Sequence, residues 1–305
     1  MRGKFLFILA FLLLSSAVPC ARAEPTDADL KRMRAETRVA LVIGNGAYAD
    51  FDALPNPPND ARGVARALES AGFRVTLRVD ANRADMLAAI ETFGRDLAAA
   101  NVGLFYFAGH AAQVDWRNFI VPVAATLSVN AKAADRLANQ VAQQAVELGT
   151  VLDLMAKANN RLNIVIIDAC RNNPFTSQAI EVGRSLARSS DKMPFRVSAG
   201  LAQTFAPPRT FLAYATAPGE VASDGVGRNS PYSGALIEAL GVPDLKLEDV
   251  FKRVRSSVAT TTSNSQIPWD NSSVFDDFYF RVPSAALAAD ARKAKSGVNT
   301  TFVSP

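Results

Sequence analysis

Histidine and cysteine are almost missing from this chain: its 305 residues include one histidine, His110, and two cysteines, Cys20 and Cys170. A structural zinc site draws on several Cys and His side chains and is therefore excluded. Serine-triad chemistry is disfavoured as well, because no G-x-S-x-G elbow occurs and His110 is the only imidazole available as a base. No D-x-[DN]-x-[DN]-G loop is present to hold calcium, so no metal or other cofactor is expected and calcium activation is not signalled. Long apolar runs are absent too: none reaches the roughly 20 residues needed to span a bilayer.

What is present starts with an export signature. Arg2 and Lys4 precede an apolar stretch from Phe5 to Leu14, and Ala21-Arg22-Ala23 supplies a small-residue cleavage site. Residues 1–23 are expected to be removed, leaving an exported chain, periplasmic or secreted, with no stable membrane insertion. Acylation at Cys20 is disfavoured by Pro19. The discarded segment carries Arg2, Lys4 and Arg22 and no acid, so the 33 Lys and Arg fall to 30 against 29 Asp and Glu. Such a balance argues against nucleic acid as a partner, which would need clustered basic residues on one face. Trimming also leaves Cys170 without a second cysteine, either as a buried apolar residue or as a working thiol.

Residues 24–35 read as a linker, 36–281 as one α/β domain and 282–305 as a small, polar tail. Apolar runs at Val39 to Ile43, Phe73 to Leu77, Val102 to Phe107, Ile164 to Ile167 and Phe211 to Tyr214 alternate with helix-period segments. Alternation of this kind predicts a mainly parallel sheet with helices on both faces. The helical stripes are Met86, Ile90, Phe93, Leu97; Leu148, Val151, Leu152, Met155; and Leu247, Val250, Val254, Val258. A sixth strand is expected at Phe278-Tyr279-Phe280, and a helix starting at Ala61 with Asp60 as its cap. Residues 171–209 form a long loop carrying Arg184, Arg188, Lys192 and Arg196.

Gly44-Asn45-Gly46-Ala47-Tyr48-Ala49 formally fits a dinucleotide fingerprint. That motif needs a helix opening inside it, which Pro55, Pro57 and Pro58 prevent, so it reads as a glycine-permitted turn. His110 and Cys170 each end an apolar run. In an open parallel sheet such positions converge on one crevice, and a thiol with an imidazole there is the equipment of a cysteine hydrolase. Gly109 and Ala111 leave the ring room, and Cys170 opens a polar run.

Four motifs carry a resemblance. Leu54-Pro55-Asn56-Pro57-Pro58-Asn59-Asp60-Ala61, Tyr106-Phe107-Ala108-Gly109-His110, Asp168-Ala169-Cys170-Arg171-Asn172-Asn173-Pro174-Phe175 and Ala213-Tyr214-Ala215-Thr216-Ala217-Pro218-Gly219 resemble the bacterial caspase-like peptidases, relatives of caspases, metacaspases and orthocaspases. Gln266-Ile267-Pro268-Trp269 fits the same family. The resemblance implies a caspase-like three-layer sandwich with a mainly parallel six-stranded sheet, and a Cys170–His110 dyad. It also implies an oxyanion hole from the backbone N–H groups of Cys170 and Ala111. Carried over from metacaspases, Asp168 and Asp60 line the pocket for the residue before the scissile bond, with Ala108 in its wall. Two carboxylates there favour Arg or Lys, which pair with carboxylate through charged hydrogen bonds.

The expected partner is thus a protein or peptide with a basic residue before the cut. Cleavage of the chain by itself after Arg184, Arg188, Lys192 or Arg196 would follow from that preference. Two departures from the family stand out. Ala111 replaces the usual glycine, a steric penalty if positive φ is needed, and Ala108 replaces the usual serine. They leave open a catalytically silent binding or scaffold protein of the periplasm.

Overall fold

The apolar runs pair as parallel strands because only helices on both sides can bury them. The computed structural model describes residues 25–126, 137–170, 197–198, 201–218, 220 and 222–283. Strands β1 (Arg38–Gly44), β2 (Phe73–Val79), β3 (Val102–Val114), β6 (Leu162–Cys170) and β8 (Thr210–Tyr214) run parallel, and β9 (Trp269–Ser272) closes one edge antiparallel to β8. The order is β2-β1-β3-β6-β8-β9, so the chain leaves β1 toward both sides of the sheet. That switch point between β1 and β3 is where a crevice opens at the carboxyl ends of the strands.

Alternation along each strand divides the core in two. Ala40, Val42, Leu104, Tyr106, Ile164, Ile166, Phe211 and Ala213 pack against α2 (Pro57–Ser70), α6 (Pro231–Gly241) and α7 (Leu247–Thr261). Val39, Leu41, Ile43, Phe105, Phe107, Val165, Ile167 and Leu212 pack against α3 (Arg83–Leu97) and α5 (Leu148–Lys157). Each fully buried Val, Leu, Ile or Phe contributes roughly 1.5–3 kcal/mol, which makes the sheet a rigid platform for what its ends carry.

Past His110 the long β3 leaves the parallel sheet and pairs with β4 (Arg117–Ile120), which pairs in turn with β5 (Val146–Glu147), while β7 (Val197–Ser198) adds to β3. A further helix, α4 (Leu137–Gln144), lies between β4 and β5 in the chain.

Two expectations are corrected. The sixth strand is Trp269–Ser272, not Phe278-Tyr279-Phe280; Tyr279 makes only an isolated bridge to Lys246. Phe278 and Phe280 are consumed by packing on each other, on Phe73 and on the Arg38 guanidinium. Helix α2 starts at Pro57 rather than Ala61, because proline suits the first helical positions, where no N–H bond is lost. Asp60 therefore sits within the first turn and is not the cap. The segment read as a linker contains α1 (Asp27–Arg34), capped by Thr26 and anchored by the buried Leu30 and Met33. Residues 201–209, at the end of the expected long loop, are irregular, and Leu201 and Ala202 among them are buried.

Candidate active site

His110 is 3 % exposed, its imidazole set against a backbone carbonyl and aromatic rings. Its Nε2 lies 2.8 Å from the Asp52 carbonyl. A carbonyl only accepts, so Nε2 carries the proton and Nδ1 keeps its lone pair. Nδ1 is buried with no hydrogen-bond partner among the described residues. Burial holds the imidazole pKa below its ordinary value, against an opposing pull from the Asp52 carbonyl and carboxylate. Tyr48 packs on the ring at 4.5 Å between centroids, and Phe51 at 5.8 Å.

Cys170 is the last residue of β6 and is paired in register with His110 on the adjoining strand. Neighbouring strands lie about 4.8 Å apart, so the register alone sets the two residues side by side. Backbone direction adds a second element. Leu162 N–H bonds the Asn101 carbonyl on the β6 side of β3, whereas Asn45 and Val121 N–H bond the carbonyls of Ala108 and His110 on the other side. Odd-numbered β3 residues thus direct their N–H toward β6, and Ala111 directs its own toward the strand end that carries Cys170. Ala111 has no positive φ, and the steric penalty expected there does not arise. The left-handed residue is Gly109, at φ +147°, where a Cβ would sit 2.6 Å from the Tyr48 hydroxyl.

Beside this pair lies a cluster of acids. Asp168 accepts from the hydroxyls of Ser230 at 2.6 Å and Ser233 at 2.5 Å. Asp60 accepts from Asn229 Nδ2 at 2.8 Å and from the Ser230 N–H at 3.1 Å. Ser230 thereby bonds both carboxylates. Since Ser233 donates to Asp168, the Tyr106 hydroxyl, 2.6 Å away, donates to Ser233. Burial, then the field of Asp168, pushes Asp60 up to about 8. Burial pushes Asp168 up to about 6 against the pull of its two serines. Asp224 adds negative field to both, and its own pKa is raised by burial. None of the three carboxylates forms an ion pair with a described Lys or Arg. Among the described residues no group of three or more His, Cys, Asp or Glu is arranged to hold a metal ion.

The model of the caspase domain, a peptidase family, matches residues 37–279. The chain belongs to that family. It is similar to the mucosa-associated lymphoid tissue lymphoma translocation protein 1 homolog of Mus musculus, 30% identical over 137 residues, which cover 45% of this chain and 15% of that protein. The Homo sapiens protein of the same name is 29% identical over 153 residues, covering 50% of this chain and 17% of its own length. The matched stretch thus spans about a sixth of these relatives. The caspase-like α/β sandwich expected from the motifs is the fold observed.

Within this caspase domain, His110, Cys170, Ala111, Asp60 and Asp168 come together at one end of the sheet. Ala108 is paired in register with Asp168 and is buried at 1 % exposure, as is Asp60. Arg184, Arg188, Lys192 and Arg196 lie outside the described residues, as do residues 1–24 and 284–305. No helix among the described residues is long and apolar enough to cross a membrane.

Sequence reading missed Asp224, Asn229, Ser230 and Ser233, and took Tyr106 only as part of a motif. The only local signal was Ser230 before Pro231, which marks a helix start. Gln266, noted only as part of a motif, is 2 % exposed; it accepts from Ser223 N–H and donates to the Ala215 carbonyl, anchoring the loop that carries Asp224.

Proposed function

We propose that this caspase-family protein is a cysteine endopeptidase that cleaves after Arg or Lys. The observation that carries the reading is the buried pair Asp60 and Asp168, with the half-buried Asp224 beside them and no described Lys or Arg paired with any of the three. Burial raises these carboxyls and makes their ionisation costly, so the pocket favours a partner whose own positive charge offsets that cost. A guanidinium or ammonium before the scissile bond fits that requirement.

The geometry supports a balanced acyl-transfer cycle. The Cys170 thiol gives its proton to Nδ1 of His110, the one ring nitrogen with a free lone pair, and the thiolate attacks the scissile carbonyl. The developing oxyanion takes N–H bonds from Ala111 and Cys170; losing one such donor typically costs about 100- to 1,000-fold in rate. His110 returns its proton to the leaving amine as the C–N bond breaks. Water, deprotonated by His110, then cleaves the thioester, releasing the acid and restoring the thiol. Asp52 holds the ring through its carbonyl and has no proton to relay.

In the same proposal the enzyme is exported, and the basic residues between 184 and 196 are its own first substrates. Fluorogenic peptides with Arg, Lys or Asp before the reporter test the central claim in the full chain, with and without added calcium. Turnover of Arg and Lys peptides that Cys170→Ala abolishes is expected. No Cys170-dependent turnover of any of them would favour the silent scaffold instead.

A further inference from the structure

The Gly44-Asn45-Gly46-Ala47-Tyr48 turn is held by a dense set of hydrogen bonds. Asn45 is fully buried; its side chain accepts from Ala81 N–H and donates to the carbonyls of Ala81 and Val121. Asp80 accepts from the N–H groups of Gly46 and Ala47 at 2.8 and 2.9 Å. These bonds present one side chain, Tyr48, to the base of the β3–β4 hairpin.

His110 and Val121 face each other across that hairpin, one step beyond the Ala111–Ile120 pair. Residues so placed normally exchange two N–H···O=C bonds. One is made directly, from Val121 N–H to the His110 carbonyl at 3.0 Å. The other is interrupted: His110 N–H donates to the Tyr48 hydroxyl at 2.9 Å, which donates to the Val121 carbonyl at 3.1 Å. The hydroxyl therefore stands in the ladder as a spacer. Its ring packs on the imidazole, and Gly109, with no Cβ, is what gives the hydroxyl room.

We infer that Tyr48 is a positioning residue for His110, its hydroxyl wedging β4 away from β3 at the one residue whose ring must stay fixed against Asp52. The wedge sets two things together. It fixes the imidazole tautomer, through the ring's seat between Tyr48 and the Asp52 carbonyl. It also sets the direction of the next N–H along β3, that of Ala111. Removing the hydroxyl leaves the buried His110 N–H to close directly on the Val121 carbonyl, which Asn45 still holds, drawing the strands together and tilting the ring.

The inference rests on the Cys170–His110 reading for its catalytic consequence but not for its geometry, and the test separates the two. Because His110 is the only histidine, imidazole nitrogen NMR of the full chain reports one ring without assignment. Wild-type protein should show a single neutral tautomer protonated at Nε2. Tyr48→Phe, which keeps the ring, should mix the two tautomers. It should also lower kcat about 10- to 100-fold with KM for an Arg peptide within about twofold, the scale expected for misplacing a reacting group by about an ångström. An unchanged tautomer in Tyr48→Phe overturns the inference, whether or not Tm or activity falls. Mixed tautomers with unchanged kcat also overturn it. Mixed tautomers in a protein whose wild type shows no Cys170-dependent turnover uphold the positioning and sink the peptidase reading alone.

Discussion

The two halves of the site are built from opposite materials. Among the described residues no side-chain charge is bonded to the His110 ring: the residue is held by a carbonyl, two aromatic rings and a tyrosine hydroxyl in the backbone ladder. Around Asp168 and Asp60 nearly everything is polar, with two serines, an asparagine and a third carboxylate. The difference teaches that one half is arranged for position and the other for charge. A base needs its lone pair free, so its neighbours must not compete for it. The proposed specificity pocket needs charge left for a substrate, and its polar neighbours hold the carboxyls in place without supplying a cation.

The comparison breaks most visibly at the dyad. Cys170→Ala or His110→Ala is expected to lower kcat/KM for an Arg peptide by about 1,000-fold or more, with similar loss for every substrate. Turnover assays on the folded variants check this, and a loss confined to basic substrates would contradict the division of labour. On the charged side, Asp168→Asn should lower kcat/KM for Arg peptides by about 100-fold, chiefly through KM, as expected when one partner of a buried charge pair is removed.

Asp60→Asn is expected to act in two directions. An amide at position 60 still accepts from Asn229 and Ser230 while ending the repulsion with Asp168, so Tm should rise by about 2–4 °C as binding of basic peptides weakens. The pH dependence follows from the raised carboxyl of Asp60. Between its unfolded value near 4 and its folded value of about 8 the native state binds more protons than the unfolded state, so stability falls as pH rises through that window. Denaturant midpoints at pH 6 and 8 should show that slope in the wild type, reduced in Asp60→Asn. Substrate binding has the opposite sense: a cationic residue needs ionised carboxylates, so KM for an Arg peptide should fall from pH 6 to pH 8. A KM independent of pH over that range would remove the charge argument.

The smallest effect is expected at Ala111. Its φ is not positive, so Ala111→Gly should change kcat by less than about threefold. Gly109→Ala, which places a Cβ against the Tyr48 hydroxyl, should cost about 2 kcal/mol in a denaturation assay.

Much of the sheet was legible because continuous apolar runs have few alternatives: β1, β2, β3, β6 and β8 all contain the expected cores. The edge strand was not, since Trp269-Asp270-Asn271-Ser272 is polar and becomes a strand only by pairing with β8. Apolarity misled at Phe278 and Phe280, which are buried by aromatic and cation contacts instead of by pairing. In the site, His110 and Cys170 were legible because each ends such a run. Asp224, Ser230 and Ser233 are ordinary loop and helix-cap residues in sequence, and nothing local marks them as neighbours of Asp168 some 60 residues earlier.

The single histidine and the scarcity of cysteine are a fact of composition, and the places of His110 and Cys170 at strand ends a fact of pattern that follows from local rules of burial and chain direction. What the tertiary structure alone decided is how they are served. Register brought His110 beside Cys170, the β1 turn reached across to wedge Tyr48 beneath the imidazole, and α2 and α6 carried Asp60 and the two serines to Asp168. Those contacts join residues tens to more than a hundred positions apart, and only the packing of helices on a closed sheet face determines which of them meet.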